Sequence, residues 1–239
     1  MAFQCKQFSI EQDKCAMKVN TDSMILGSWV EISSQTRMLD IGTGTGILAL
    51  MLAQKAGPDA VIDAIEIDPD AAAQARENVL RSPWTENINT CQGCVLSQAP
   101  ARQYDLIISN PPYFDAAQKP SNAFESQTDA RKRARQSDSL SPEALFQWVA
   151  AYLDKSGDFY CLYPAGAVQA LIPQAQAAGL HCDSLMWIKS MANKPAYVAA
   201  LRFRREPSIV KKDTLVIHEE SGEYSAEFRS LCRDYYLNF

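Results

Sequence analysis

The residues best suited to chemistry lie in one short stretch, Asp105-Leu106-Ile107-Ile108-Ser109-Asn110-Pro111-Pro112-Tyr113. Asn110 offers a side-chain carbonyl as an acceptor. Pro111 offers a backbone carbonyl whose direction its ring helps to fix. Two such acceptors suit one planar NH2 group, and Tyr113 supplies a flat face for a planar ring. An exocyclic aromatic amine is a poor nucleophile, because its lone pair is delocalised into the ring. Acceptors held out of the ring plane favour a more tetrahedral nitrogen and free that lone pair. The alternative is a proline-rich turn after a strand, with Tyr113 as a surface aromatic.

A second stretch reads as strand, glycine turn and helix: Met38-Leu39-Asp40-Ile41, then Gly42-Thr43-Gly44-Thr45-Gly46, then Ile47 to about Ala56. Glycines let a ligand approach the backbone and let a helix start close to a strand. Asp40, two residues before the first glycine, would repel a pyrophosphate, which disfavours a nicotinamide dinucleotide. It suits a ligand with a cationic amine and sulfonium. Glu66 ends the next strand, Val61 to Asp68, where an acid accepts bonds from ribose hydroxyls. Asp68 is the competing acid, but Asp68-Pro69 reads as the start of a helix running through Arg81.

These groups need a scaffold that brings strand ends together. The run before Asn110 reads as a buried parallel strand (Tyr104–Ser109), and open α/β sheets bind ligands at the carboxyl ends of strands. Further strands are expected at 88–92, 157–163, 181–188 and 196–203, with an edge strand at 214–218. Helices are expected at 23–30, capped by Thr21 or Asp22, at 142–153, at 165–178 and after Ser225. The fold class is α/β: a doubly wound, seven-stranded, mostly parallel sheet with short N- and C-terminal extensions. The expected division is an arm at 1–35, covering either a sheet edge or the ligand mouth, a central domain at 36–205, and a strand and helix at 206–239.

The totals agree with one domain. The chain has 239 residues, and 47% of them are hydrophobic, enough for a core. No apolar run reaches membrane-spanning length and no leader pattern opens the chain, so a cytoplasmic protein without membrane contact is expected. The seven cysteines have no framework spacing. Cys91-Gln-Gly-Cys94 lacks a second pair, so no metal is expected, and a small residue beside a ligand is the better role for Cys94. A net charge of −5 does not point to nucleic acid. The largest basic cluster, Arg131, Lys132, Arg133 and Arg135, follows the Asn110 turn and reads either as phosphate contact or as a solvated run. Arg202, Arg204, Arg205, Lys211 and Lys212 form a looser second group. Asp63 reads as a solvated or edge charge.

Together these stretches resemble class I S-adenosylmethionine-dependent methyltransferases. Asp40 to Gly46 is similar to their glycine motif, Glu66 to their ribose acid, and Asn110-Pro111-Pro112-Tyr113 to the motif of their amino-methylating members. The resemblance covers roughly 36–205 and implies the cofactor S-adenosylmethionine, with Asp40, Gly42, Thr43, Gly44, Gly46, Glu66, Ile67, Cys94 and Asn110 around it. It implies catalytic roles for Asn110, Pro111, Pro112 and Tyr113. Cys94 departs from the pattern, where an Asp often contacts the adenine.

The motif alone leaves the planar amine open: adenine in nucleic acid, guanine N2 in rRNA, or the glutamine amide of a protein. Phe8, Met17-Lys18-Val19-Asn20-Thr21-Asp22-Ser23, Tyr224-Ser225 and Tyr235-Tyr236-Leu237 extend the likeness to bacterial enzymes that methylate adenine N6 in valine tRNA. That implies a tRNA partner, with Lys18 and Arg131 to Arg135 on its backbone, and a monomer is expected. The rivals are a glutamine N5-methyltransferase, a guanine N2-methyltransferase, and a catalytically silent fold that only binds RNA or protein.

Overall fold

A computed structural model of the chain describes residues 2–111 and 140–238. Pro112, Tyr113 and the basic cluster at 131–135 lie outside the described residues. Ten strands are described: β1 (Phe3–Gln4), β2 (Ser9–Ile10), β3 (Arg37–Ile41), β4 (Val61–Glu66), β5 (Ile88–Gln92), β6 (Tyr104–Ser109), β7 (Leu153–Pro164), β8 (His181–Met191), β9 (Ala196–Arg204) and β10 (Lys211–His218). Six α-helices accompany them: α1 (Thr21–Trp29), α2 (Ile47–Lys55), α3 (Pro69–Leu80), α4 (Pro142–Tyr152), α5 (Val168–Ala177) and α6 (Ala226–Cys232).

The main sheet has eight strands in the order β10-β8-β9-β7-β6-β3-β4-β5. Seven of them make the expected doubly wound sheet, and the eighth, β10, adds the edge strand read at 214–218. β9 runs antiparallel to both β7 and β8, and every other pairing is parallel. β1 and β2, which no residue pattern announced, form a separate antiparallel pair.

Alternation along the strands splits the core between two faces. Leu106 and Ile108 of β6 join Met24, Leu50, Met51 and Phe228 from α1, α2 and α6 on one face. Ile107, with Phe159 and Phe203, packs against Phe146 and Leu171 from α4 and α5 on the other. Helices on both faces leave β3 and β6 largely buried, so their sequences read as mostly apolar runs.

Local chemistry explains most helix starts. Asp68 accepts from the N–H groups of Asp70 and Ala71, each at 3.0 Å, and Pro69 opens α3. Ser141 accepts from Ala144 N–H at 3.2 Å and Ser225 from Phe228 N–H at 3.0 Å. The cap of α1 differs from expectation: it is Asn20, not Thr21 or Asp22. Asn20 Oδ1 accepts from Ser23 N–H at 2.9 Å, while Ser23 Oγ returns a contact to the Asn20 N–H at 3.4 Å. Asp22 is thereby free to face Tyr197, whose hydroxyl donates to it at 2.6 Å.

The second basic group is taken up internally. Arg202 is 7% exposed and donates through Nε and Nη2 to both oxygens of Asp183, at 2.8 and 2.9 Å. It also reaches Glu31 at 2.9 Å and Ser184 Oγ at 3.1 Å. Arg204 pairs with Asp158 at 2.6 Å. Arg205 donates to the carbonyls of Ala150 and Leu153, at the C-terminal end of α4. Only Lys211 and Lys212 of that group stay exposed. Asp63 is half-buried and accepts from Tyr104 Oη at 2.8 Å and Asn89 Nδ2 at 3.2 Å, so it ties three strands together.

Candidate active site at the strand ends

β3, β4 and β6 are adjacent and parallel, so the glycine turn, Glu66 and Asn110 leave the same edge of the sheet. The register pairs Ile41 with Ser109 and Ile65 with Ile41. One side-chain bond locks the two ligand stretches at a common height: Ser109 Oγ donates to Ile41 carbonyl at 2.9 Å, and Ser109 is fully buried. Asn110 follows, half-buried, then Pro111, buried. Ser109 was not among the residues read as functional, since a serine at a strand end gives no signal until its partner strand is known.

The glycine turn is braced from below. The N–H groups of Gly42 and Thr43 donate to Ile65 carbonyl at 2.9 and 3.0 Å. Gly42, Gly44 and Gly46 have φ of +72°, +55° and +85°. Side chains rarely adopt that region. A Cβ at Gly42 or Gly44 would meet nothing within 4 Å, so these positions border open space. At Gly46 it would press on Ala75 at 3.5 Å, which is the close approach of α2 to α3.

Glu66 is partly exposed, and its two oxygens join the glycine turn to the cap of α3. Oε2 accepts from Gly44 N–H at 2.9 Å and Oε1 from Asp68 N–H at 3.0 Å. A carboxylate accepts about four hydrogen bonds, so room remains for two hydroxyl donors. Ile67, next in sequence, is 47% exposed. Cys94 lies beyond β5, half-buried, at the head of a short 3-10 turn, Val95–Ser97.

Asp40 is fully buried. Its Oδ2 accepts from Thr43 Oγ1 at 2.5 Å and Ala49 N–H at 3.1 Å, which fixes the turn to the first turn of α2. Thr43 therefore faces inward. Oδ1 of Asp40 has no hydrogen-bond partner. Burial pushes the carboxyl up to about 7, against the lowering effect of the Thr43 and Ala49 bonds. The sign follows directly. The folded state holds a proton that the unfolded chain releases near its usual, lower pKa, so Asp40's contribution to stability is fullest below about pH 4. It is lost as pH rises to about 7. Asp40→Asn keeps an acceptor for Thr43 and Ala49 and stays neutral. We expect it to melt roughly 5 °C above wild type at pH 8, a gap that narrows toward pH 5. Parallel melting curves across that range would show that Asp40 does not titrate in the folded protein.

The N-terminal segment reaches this edge from the side of α3. Glu11 N–H donates to Asn78 Oδ1 at 2.9 Å, and Asn78 Nδ2 donates to the carbonyls of Glu11 and Thr45, each at 2.8 Å. One buried amide thus joins the arm to the glycine turn. Lys14 N–H bonds Gln74 Oε1 at 3.1 Å. Lys18 is exposed just before α1. Among the described residues, no group of three or more His, Cys, Asp or Glu side chains could hold a metal, and no helix is long and apolar enough to cross a membrane.

The family model for the methyltransferase small domain matches residues 15–138. A protein from Pseudoalteromonas atlantica named tRNA1(Val) (adenine(37)-N6)-methyltransferase is 40% identical, over 99% of this chain and 98% of its own length. One of the same name from Bacteroides thetaiotaomicron is 39% identical, over 99% and 97%. Among solved structures, a predicted O-methyltransferase from Agrobacterium tumefaciens superposes with a TM-score of 0.67 at 17% identity, over 89% of this chain and 95% of its own. A methyltransferase from Pyrococcus furiosus gives 0.58 at 17% identity, over 83% and 89%. At that identity the likeness concerns the fold alone.

Proposed function

The chain belongs to the methyltransferase small-domain family and groups with the tRNA1(Val) (adenine(37)-N6)-methyltransferases, and on that premise we propose that it methylates N6 of the adenosine just 3′ of the anticodon of valine tRNA. S-adenosylmethionine is the proposed donor. When bound, it supplies an electrophilic methyl group. The single observation that carries the proposal is the shared strand edge. Ser109 holds the Asn110 turn level with the Gly42 turn, so an acceptor pair for an amine sits beside a glycine cradle.

The residues present fit that donor. Open space at the Gly42 and Gly44 Cβ positions leaves backbone for a ligand to approach. Asp40, buried behind the turn with Oδ1 unpartnered, has its carboxyl pushed up to about 7, and a cationic ligand nearby favours its charged form. Glu66 keeps capacity for two ribose hydroxyls, and Ile67 and Cys94 flank the space an adenine would fill. Thr43 and Gly46 act from behind, the first on Asp40 and the second by letting α2 start close to α3.

For the acceptor substrate, Asn110 Oδ1 and the Pro111 carbonyl take the two N6 hydrogens and pull them from the ring plane. Tyr113 stacks on the base, and Pro112 stiffens the turn that presents it. No side chain has to remove a proton before attack, and positioning supplies most of the acceleration. An unpaired anticodon-loop base is cheaper to extrude than a paired one. Arg131, Lys132, Arg133 and Arg135 would hold phosphates nearby. The proposed division is an arm at 1–35, a catalytic domain at 36–205 and an extension at 206–239, working as a cytoplasmic monomer.

The test combines purified protein, methyl-labelled S-adenosylmethionine and unmodified bulk tRNA, followed by nucleoside mass spectrometry. N6-methyladenosine in valine tRNA is the expected product. Label in guanine or in protein glutamine, with tRNA adenine unmodified, would overturn the substrate.

A further inference from the structure

Resting on the tRNA reading, we propose that the rim formed by the β8–β9 turn and the approach to α1, with Lys18, Lys189, Lys194 and Tyr197, holds the single-stranded RNA next to the target adenosine. Topology brings these residues to the reacting edge. β9 is antiparallel, so it begins where β7 and β8 end: Val198 pairs with Pro164, and Ala196 with Lys189. The turn between β8 and β9 therefore projects from the same edge as Asn110. The link from Tyr197 Oη to Asp22, 2.6 Å, draws the start of α1 to this rim and brings Lys18 with it. Lys189 Nζ donates to Ala192 carbonyl at 2.6 Å, which fixes the turn and sets a cation at its base.

The chemistry of the rim fits a nucleic-acid strand. Lys18 and Lys194 are exposed, and Tyr197 is 43% exposed. Cations together with an exposed aromatic are the combination that grips phosphates and stacks a base. β9 lies two strand spacings from β6, about 10 Å, so the rim is within reach of nucleotides next to a base held at Asn110.

Electrostatics select this flank among the described residues. On the far side of the glycine turn stand Glu66, Asp68 and Asp70. Beyond β10 stand Glu219, Glu220 and Glu223, all exposed. Both acidic borders repel phosphate, while the β9 rim between them carries Lys18, Lys189 and Lys194, with the half-buried Asp22 spent on the Tyr197 hydroxyl. The strand is thereby steered over β7 and β9 rather than over β4.

The decisive variants are Lys194→Glu, on an exposed turn where folding is not at stake, and Tyr197→Ala. Lys211→Glu, at the opposite end of β10, serves as the control. Steady-state methylation of tRNA is measured at two salt concentrations, and affinity for S-adenosylmethionine by calorimetry without RNA. Lys194→Glu should raise the KM for tRNA about tenfold and flatten its salt dependence by about one phosphate contact. Tyr197→Ala should raise KM by a similar factor, with cofactor affinity that of wild type and the control unchanged. Wild-type KM and salt slope in both variants would overturn the rim. A wild-type protein that labels no RNA but labels a protein substrate would overturn the tRNA reading itself, and the rim with it.

Discussion

Replacing Asn110 with Ala is expected to abolish useful turnover while leaving the protein folded and its cofactor site intact. Asn110 is one of two acceptors for the reacting amine, and its removal acts only where charge builds on that nitrogen. Losing one preorganised hydrogen-bonding group in such a site costs on the order of 10²–10³ in kcat. The backbone should not respond, because Ser109 still bonds Ile41 and Pro111 still restricts position 110 before it. Calorimetric affinity for S-adenosylmethionine should therefore stay within about twofold, the split that marks loss of transition-state rather than ground-state binding. Asn110→Asp sharpens the test, since a carboxylate still accepts. It should retain more turnover than the Ala variant. Equal kcat in Asn110→Ala and wild type would remove the residue from the reaction.

The largest effect on stability is expected from Arg202→Ala. Arg202 is nearly enclosed and spends its guanidinium on Asp183, Ser184, Glu31 and Tyr160. Truncation leaves Asp183, 6% exposed, without its bidentate partner and with only the longer Arg204 contact at 3.5 Å. Stranding a buried charge in this way costs about 3–5 kcal/mol. For a chain of this size that is a fall in Tm of roughly 10 °C. Removing Asp183 as well, in Arg202→Met with Asp183→Leu, should recover most of the loss, because neither charge is then stranded. Arg202 lies five residues along β9 from Tyr197, about 17 Å from the site edge. The folded fraction should thus keep its kcat. A urea midpoint unchanged in Arg202→Ala would show the cluster to be energetically idle.

How far the sequence disclosed this molecule depends on the range of each interaction. Elements whose limits are set by neighbours were legible: β5 at 88–92 and β6 at 104–109 match their reading, as does the Asp68-Pro69 start of α3. The cap of α1 was read one or two residues late. Asn20, Thr21 and Asp22 are all good caps, and the choice depends on Asp22 being engaged by Tyr197, 175 positions away. Asp63 reads from sequence as a solvated or edge charge, and Arg202 only as one of a loose basic group, for the same reason: their partners come from other strands. The short β1–β2 pair carries no alternation to read. At the candidate site, residue types pointed to stretches that the sheet brings to one edge. Which oxygen of Asp40 is occupied, and that Ser109 ties the stretches together, needed the strand order.

The same strand order bears on how the chain is made. Neighbours in the sheet do not appear in the order in which they are translated. β7 emerges with β6 ready on one side, but its other side awaits β9, and β8 comes first. At about 5–20 residues per second, the interval between the end of β7 and the end of β9 is roughly 2–8 s. Throughout it, Phe159-Tyr160-Cys161-Leu162 presents an open, apolar strand edge on the nascent chain. Such an edge pairs readily with another chain. The local β8–β9 hairpin must form first and dock as one piece to close it. A ribosome stalled near residue 190 would therefore display a sticky half-sheet, and the protein's yield in cells should track translation speed through 165–204 as much as its equilibrium stability.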